Sequence, residues 1–373
     1  MRGYKTMMYS EYKIKVPGKL MVAGEYAVLE PNQKAVVIAV NRYVTAYIKS
    51  CNQNILSLPQ LSVENVKWWI VNEEVKFSEP NGRLSFVQNS IAVATQYLQE
   101  KSIKLQPSNL EIISELDDPL TGKKYGLGSS AAVVVSVVSA MLSLHDCVSE
   151  LDRDKIFKLS AIAHVKTQGS GSGADIAAAV YGGWLEYCSF SAKWILNELE
   201  KGTKLIEMLE RPWPNLSIVT LTPPVSLQLA VGWTRDAEAT GHMIQKAYKF
   251  REDNLTLYND FLRASLIAVE QLIQSFKSNE SIEAIKALSQ NRKVLQKLGE
   301  ESGILIETEK LKNLCSIAEN FGSAKSSGAG GGDCGVAFIK DASKKQELYE
   351  AWEDADISPL DLCVSEEGII VMK

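Results

Sequence analysis

Apolar and polar positions change rhythm along the chain. Over the first fifty residues the apolar positions come in short β-branched or aromatic runs, at 13–16, 35–40 and 43–48, broken at Pro17-Gly18 and Asn41-Arg42. That texture predicts strands joined by turns, an antiparallel β region. Between Asn89 and Lys101 the rhythm becomes helical, with Ile91, Ala92, Ala94, Thr95 and Leu98 on one face. Residues 131–144 are apolar apart from Ser136, Ser139 and Ser143, and they follow a glycine-rich loop. A buried helix is predicted there, with Ser129 and Ser130 as capping candidates. Past residue 211 the texture changes again. Arg211-Pro-Trp-Pro-Asn215 is proline-rich and precedes strand-like runs at 216–221 and 227–232, so two domains are expected, 1–215 and 216–373. In the second, Tyr258, Phe261, Ser265, Val269, Leu272 and Phe276 share one helical face, and Ile282, Ile285, Leu288, Leu295 and Leu298 another. A helix over 308–321, a strand over 335–339, a helix over 344–352 and a strand over 360–364 are predicted to follow. Helices laid on one face of a small, mostly antiparallel sheet make this an α+β domain.

A length of 373 residues suits two domains. The net charge of −5 excludes a nucleic-acid binder, which needs a basic footprint, but leaves room for one local basic pocket. The longest apolar run, 131–142, falls short of the ~20 residues that span a bilayer. The segment before Tyr12 lacks the apolar core of a signal peptide, and Met1 and Met8 are both candidate starts. The expectation is a cytoplasmic protein without a membrane partner. Six scattered cysteines with no CxxC pair indicate neither a disulfide framework nor a zinc site.

Three glycine clusters punctuate the chain, at 122–130, 169–173 and 328–332. In Gly126-Leu127-Gly128-Ser129-Ser130-Ala131-Ala132 a glycine loop runs straight into the predicted helix. Glycine lets the backbone approach an anion, and the first N–H groups of a helix point at it with the positive end of the dipole. This is a phosphate cradle; Ser129 and Ser130 offer hydroxyls to a phosphate or to Mg²⁺, and Lys123 and Lys124 add charge upstream. No Walker loop occurs. The dinucleotide pattern G-x-G-x-x-[GA] occurs from Gly126 and again within 169–174, but the β-rich first fifty residues do not fit a Rossmann start. Ser327-Gly328-Ala329-Gly330-Gly331-Gly332-Asp333, leading into a strand, is a second backbone nest for an anion. Pro17-Gly18-Lys19 presents a lysine, with Glu25 six residues on. Asp175 is followed by six apolar residues; it is costly to bury unpaired, and Lys19 is its expected partner.

In this order, the segment from Pro17-Gly18-Lys19 to Glu25, the loop from Gly126 to Ala132 and the loop from Gly328 to Gly332 resemble motifs one to three of the GHMP kinases, the superfamily of galactokinase, homoserine kinase and the mevalonate-pathway kinases. Within it, residues 124–132, Val231-Gly232-Trp233-Thr234 and 326–335 are most similar to the bacterial phosphomevalonate kinases. The resemblance implies a two-domain GHMP kinase fold of α+β class. Its N-terminal domain would be like domain 2 of ribosomal protein S5, its C-terminal domain ferredoxin-like, with ATP and Mg²⁺ bound between them. It further implies ATP-dependent phosphorylation of (R)-5-phosphomevalonate to the 5-diphosphate, with release of ADP, on the route to isopentenyl diphosphate. Lys19 and Asp175 carry over as catalytic residues and Glu25 as their support. Lys124, Gly126, Leu127, Gly128, Ser129, Ser130 and Ala131 carry over as the ATP loop, with Ser129 or Ser130 on Mg²⁺. Ser327, Gly328, Ala329, Gly330, Gly331 and Gly332 carry over as the phosphate and substrate loop.

Two departures from the family pattern bear on substrate. Gly122 holds the place of a proline four residues before Gly126, which loosens the approach to the loop. His164 stands eleven residues before Asp175, where mevalonate kinases carry a glutamate that helps hold Mg²⁺. That ion prefers oxygen ligands, so His164 counts against plain mevalonate kinase and leaves the metal to serine hydroxyls, water and ATP. An acceptor bearing a carboxylate and a phosphate calls for basic and hydroxyl side chains; Lys166, Thr234, Arg235, Thr240 and His242 are the candidates near the motifs. Asp175 is expected mainly to orient Lys19, because a phosphate monoester with a second pKa near ~6 is already an oxyanion at neutral pH. Mevalonate kinase, diphosphomevalonate decarboxylase or another GHMP small-molecule kinase would share the loops. A catalytically inactive sensor or binding paralogue would be expected to have lost Lys19 or Asp175.

Overall fold

A computed structural model of the chain describes residues 11–72, 74–79, 81–145, 152–236 and 240–373. The first half builds β1 (Glu11–Ala23), β2 (Lys34–Ser50), β3 (Ile55–Leu58), β4 (Val63–Val71), β5 (Glu74–Phe77), α1 (Ser85–Glu100), β6 (Ser108–Ser114), α2 (Ser129–Leu144), α3 (Arg153–Gln168), α4 (Ala174–Tyr181) and β7 (Trp184–Cys188). There follow α5 (Ala192–Glu200), α6 (Leu205–Glu210), β8 (Ser217–Leu221), β9 (Gln228–Trp233), α7 (Thr240–Asp253), α8 (Leu255–Lys277) and α9 (Ser281–Ser302). The chain closes with α10 (Glu309–Ala318), β10 (Gly322–Ser326), β11 (Cys334–Ile339), α11 (Lys345–Asp354), β12 (Ser358–Leu360) and β13 (Ile370–Met372).

Among the described residues the large sheet runs β13-β1-β2-β6-β3-β4-β5, with β7 pairing β2 and β8 pairing β7. The small sheet runs β10-β11-β9-β12. Taken as fourth, first, third and second strand, β12-β9-β11-β10 is the order of a ferredoxin-like unit. The large sheet therefore takes β8 and β13 from beyond residue 215, where the second domain was expected to begin. The proline-rich segment ends in a strand that returns to β7, because Ser217–Leu221 finds its ladder partners there.

The strands of the first fifty residues are longer than the punctuation suggests. Pro17-Gly18 and Asn41-Arg42 are not turns. They face each other across one β1–β2 ladder, in which Pro17 pairs Tyr43 and Gly18 pairs Val40, so Asn41 and Arg42 bulge out of β2. A bulge leaves the ladder intact on either side while re-aiming the strand. Beyond it, β1 directs Lys19 toward the motif loops. Helix α2 is buried nearly all round and packs on β1 and β2, flanked by α1, α3 and α4. That position explains a sequence too apolar to show a polar face. Helices α8 and α9 pack on each other, and α9 and α10 cover β10. Among the described residues no helix is long and apolar enough to cross a membrane.

Candidate active site

Four segments far apart in sequence converge on one cavity of about 470 Å³. The end of β1 and the turn after it bring Lys19, Met21, Glu25 and Tyr26. The loop before α2 brings Lys124, Gly126, Leu127, Gly128, Ser129 and Ser130. The end of α3 brings His164 and Gln168, the connection after it and the start of α4 bring 171–174 and Asp175, and the β10–β11 loop brings Ser327, Gly328, Ala329 and Asp333.

The α2 loop is shaped by its glycines. Gly126 and Gly128 have φ of 79° and 76°, a conformation glycine adopts without steric cost. Gly128 caps α2 with no side-chain hydrogen bond, so the first N–H groups of the helix have no side-chain cap. A 16-residue helix ending this way is a ready seat for an anion. Lys19 is drawn to the same loop. Its backbone N–H donates to the Leu127 carbonyl at 2.8 Å and its ammonium to the Gly126 carbonyl at 3.2 Å. Asp175, in the first turn of α4, accepts the N–H of Ile176 on Oδ1 at 3.0 Å. The direct Lys19–Asp175 pair expected from sequence is thus not made among the described residues. The two side chains instead flank Gly128, where a methyl group would meet Lys19 Cγ at 2.9 Å and Asp175 Cβ at 3.6 Å.

The β10–β11 loop is seated as firmly. Ser327 Oγ accepts the Met21 N–H at 3.0 Å and donates to the Met21 carbonyl at 2.9 Å, and Tyr26 donates its hydroxyl to the Ala329 carbonyl. Gly331 N–H reaches the Ile306 carbonyl at 2.9 Å. Behind that carbonyl, Arg292 grips Glu307 through two hydrogen bonds of 2.7 and 3.1 Å, a buried fork that steadies the strip on which the loop rests.

Asp333 ends this loop against Gly126. Its backbone is held by Thr234, whose N–H and hydroxyl both donate to the Asp333 carbonyl, at 2.9 and 3.1 Å. Its side-chain Oδ1 is buried with no hydrogen-bond partner among the described residues. Burial pushes its pKa up to about 6, while Lys19 and Lys124 pull the other way.

Known proteins resemble the chain along most of its length. The N-terminal domain of GHMP kinases matches residues 89–183, and their C-terminal domain matches 269–357. A phosphomevalonate kinase of Streptomyces sp. (strain CL190) is 31% identical over 368 residues, covering 95% of this chain and 97% of that protein. The chain belongs to the GHMP kinases. Among solved structures, the kinase resembles the Streptococcus pneumoniae phosphomevalonate kinase in complex with phosphomevalonate and AMPPNP, with a TM-score of 0.81 and 30% identity over 96% of this chain and 100% of that one. It also resembles the Lin0012 protein of Listeria innocua, with a TM-score of 0.91 and 36% identity over 98% and 100% of the two chains.

The motif residues of this kinase largely meet in the cavity, with exceptions. Ala131 is buried behind the loop, and Gly330, Gly331 and Gly332 lie outside the lining and shape the loop from below. Among the described residues, Lys166, Thr234, Arg235 and His242 are not on the cavity wall. Thr234 is fully buried as a support of Asp333. Arg235 is exposed and donates to Ser358 Oγ at 2.7 Å; Lys166 and His242 are exposed. Thr240 opens α7, and its side chain lies outside the described residues. Nearness in sequence does not fix place in the fold: Thr234, just after β9, sits behind Asp333, while α3 delivers His164 and Gln168 to the cavity wall. The residues that sequence reasoning left without a role are Asp333, His164, Gln168, Tyr26 and Lys325. A charged or polar residue set inside a small-residue glycine motif was the available signal for Asp333.

The raised pKa of Asp333 has a stability consequence. The folded state keeps this proton up to about pH 6, whereas an ordinary aspartate loses it at 3.8. Stability therefore falls as pH rises through that window, and the cost is complete above it. The expected result is that Asp333→Asn melts higher than wild type at neutral pH, with the difference vanishing below the ordinary aspartate pKa. Thermal melts across pH check it; a gap independent of pH would remove ionised Asp333 as the cause.

Proposed function

We propose that this kinase transfers the γ-phosphoryl group of ATP to the phosphate of (R)-5-phosphomevalonate, giving the 5-diphosphate and ADP, in the cytoplasm and on the route to isopentenyl diphosphate. The observation that carries this reading is a single cavity joining two backbone anion seats, the α2 N-terminus and the β10–β11 loop, with Lys19 on its wall. Two polyanions fit such a site, and positioning with charge neutralisation is most of what phosphoryl transfer needs. The nucleotide phosphates take the α2 seat, and Lys19 stabilises charge on the moving group. The acceptor phosphate presents an oxyanion without help from a base, so Asp175 orients rather than abstracts.

Mg²⁺ fits the residues present. Ser129 and Ser130 offer hydroxyl oxygens on the cavity wall. Mg²⁺ typically completes its shell from water and substrate phosphates rather than an all-protein cage. When bound it would neutralise phosphate charge; Ser129 and Ser130 would hold it, and His164, a nitrogen ligand, would not.

The test is ADP release with mevalonate, phosphomevalonate and diphosphomevalonate offered separately. Turnover is expected with phosphomevalonate alone. Turnover with mevalonate but not its phosphate would overturn the reading in favour of a mevalonate kinase.

A further inference from the structure

One histidine stands on the cavity wall with one ring nitrogen sealed and the other open. His164, in the last turns of α3, is 6% exposed and lines the cavity. Its ring packs on Phe86, with centroids 5.0 Å apart. Nε2 is buried and has no hydrogen-bond partner among the described residues. Nδ1 has no partner there either, but it keeps accessible surface. Its edge of the ring turns toward Gly171 on the same wall, where a methyl group would stand 3.7 Å from Nδ1 and 3.8 Å from Cε1. Glycine leaves that edge uncovered.

A neutral imidazole carries one proton, on either nitrogen. On Nε2 it would make a buried N–H without an acceptor, which is rarer and costlier than a buried lone pair. The proton therefore belongs on Nδ1, and the ring offers the cavity a donor. The connection after α3 offers another. The Ser172 carbonyl accepts the hydroxyl of the buried Tyr187 and, at 2.9 Å, that of Ser189. A trans peptide points its carbonyl and its N–H in opposite directions, so drawing the Ser172 oxygen inward turns the Gly173 N–H outward. That N–H has no hydrogen-bond partner among the described residues, and Gly173 lines the cavity.

We infer that His164 is a binding residue for the acceptor: its Nδ1–H, together with the Gly173 N–H, holds the acceptor's carboxylate. The α2 and β10–β11 seats are taken by phosphates, so the carboxylate at the other end of the acceptor needs a third set of donors. Asp333 and Glu25, the latter paired with the buried Lys325, offer it none. Asp175 flanks Gly128 together with Lys19 and so faces the reacting end. This inference rests on the acceptor assigned above.

The experiment compares three variants, reading melting temperature and the KM for each substrate. His164→Phe keeps a ring and loses the donor, His164→Asn loses the ring but keeps a side-chain N–H close to the place of Nδ1, and His164→Ala loses both. His164→Phe should melt near wild type with its acceptor KM raised by about tenfold, the scale of a lost charge-assisted hydrogen bond, and its KM for ATP within about twofold. His164→Asn and His164→Ala should both melt lower, but only His164→Ala should share the raised acceptor KM. A histidine that merely fills space would give the reverse, a wild-type KM in His164→Phe and equal impairment in the other two, and would overturn the proposal. So would a rise in the KM for ATP as large as that for the acceptor, which would put Nδ1 on a nucleotide phosphate. An acceptor analogue with a methyl group in place of the carboxylate tests the group held: wild type and His164→Phe should use it with equal KM, and a persisting tenfold gap would overturn the carboxylate assignment. The variants are compared on whichever acceptor the wild type turns over. Failure of phosphomevalonate as substrate therefore strikes the reaction assignment, while the variant pattern still decides the role of His164.

Discussion

Lys19→Met is expected to lower kcat by about three orders of magnitude, the range for removing one preorganised charge from a phosphoryl-transfer site. The Lys19 ammonium lines the cavity, with a 3.2 Å contact to the Gly126 carbonyl and a charge that partly offsets the burial of Asp333. Methionine keeps the length and apolar stem, so folding should survive. Asp175→Asn is expected to lose only about tenfold, well below the ~10⁴ seen when a catalytic group of a hydrolase is mispositioned. Two arguments separate them. An ionised phosphate acceptor needs no base, and Oδ1 of Asp175 already accepts the N–H of Ile176, a bond that an asparagine carbonyl can keep. Steady-state ADP release at saturating substrate, with thermal melts to confirm folding, checks both. Equal losses near ~10⁴ would make Asp175 a base or an obligatory partner of Lys19.

Legibility in the sequence followed the range of the forces involved. Helix α2 and its loop were readable because glycine conformation, capping and an apolar run act within about twenty residues. The turns expected at Pro17-Gly18 and Asn41-Arg42 were overruled by pairing across the long β1–β2 ladder, where each breaker accommodates the other as a bulge. Helix α3 went unread although it carries His164 to the cavity wall: its buried residues fall on most of its circumference, which erases the polar face that marks a surface helix. The Glu25–Lys325 pair was beyond reach because 300 residues separate its partners, and only the meeting of the two sheets brings them together. The acceptor candidates were chosen by nearness along the chain, which does not report place in the fold. Thr234 and Arg235 adjoin a strand of the motif region in sequence, but the chain turns them away from the cavity.

The same loop supports a second strong prediction, in which one methyl group separates strain from collision. Gly122 and Gly126 both have positive φ, 68° and 79°, so alanine at either position costs about 1–2 kcal/mol of backbone strain. They differ in what surrounds them. A methyl group at Gly122 meets nothing within 4 Å, whereas one at Gly126 falls 2.6 Å from the Asp333 carboxyl and 2.7 Å from its Cβ. Gly126→Ala must therefore push the β10–β11 loop off the α2 loop or lift the Gly126 carbonyl away from Lys19. The expected result is a rise in the KM for ATP of at least tenfold with a large loss of kcat, while Gly122→Ala shows only a lower melting temperature. Shortening Asp333 to serine would not relieve the collision, because its Cβ is part of it. Asp333→Gly does relieve it, and glycine also suits the φ of 55° at that position. The Gly126→Ala/Asp333→Gly double variant should thus recover most of the lost kcat, retaining only the strain it shares with Gly122→Ala. If the double variant stays as impaired as Gly126→Ala alone, the damage comes from the Gly126 backbone itself, and the apposition of the two loops through Asp333 is not what the methyl group breaks.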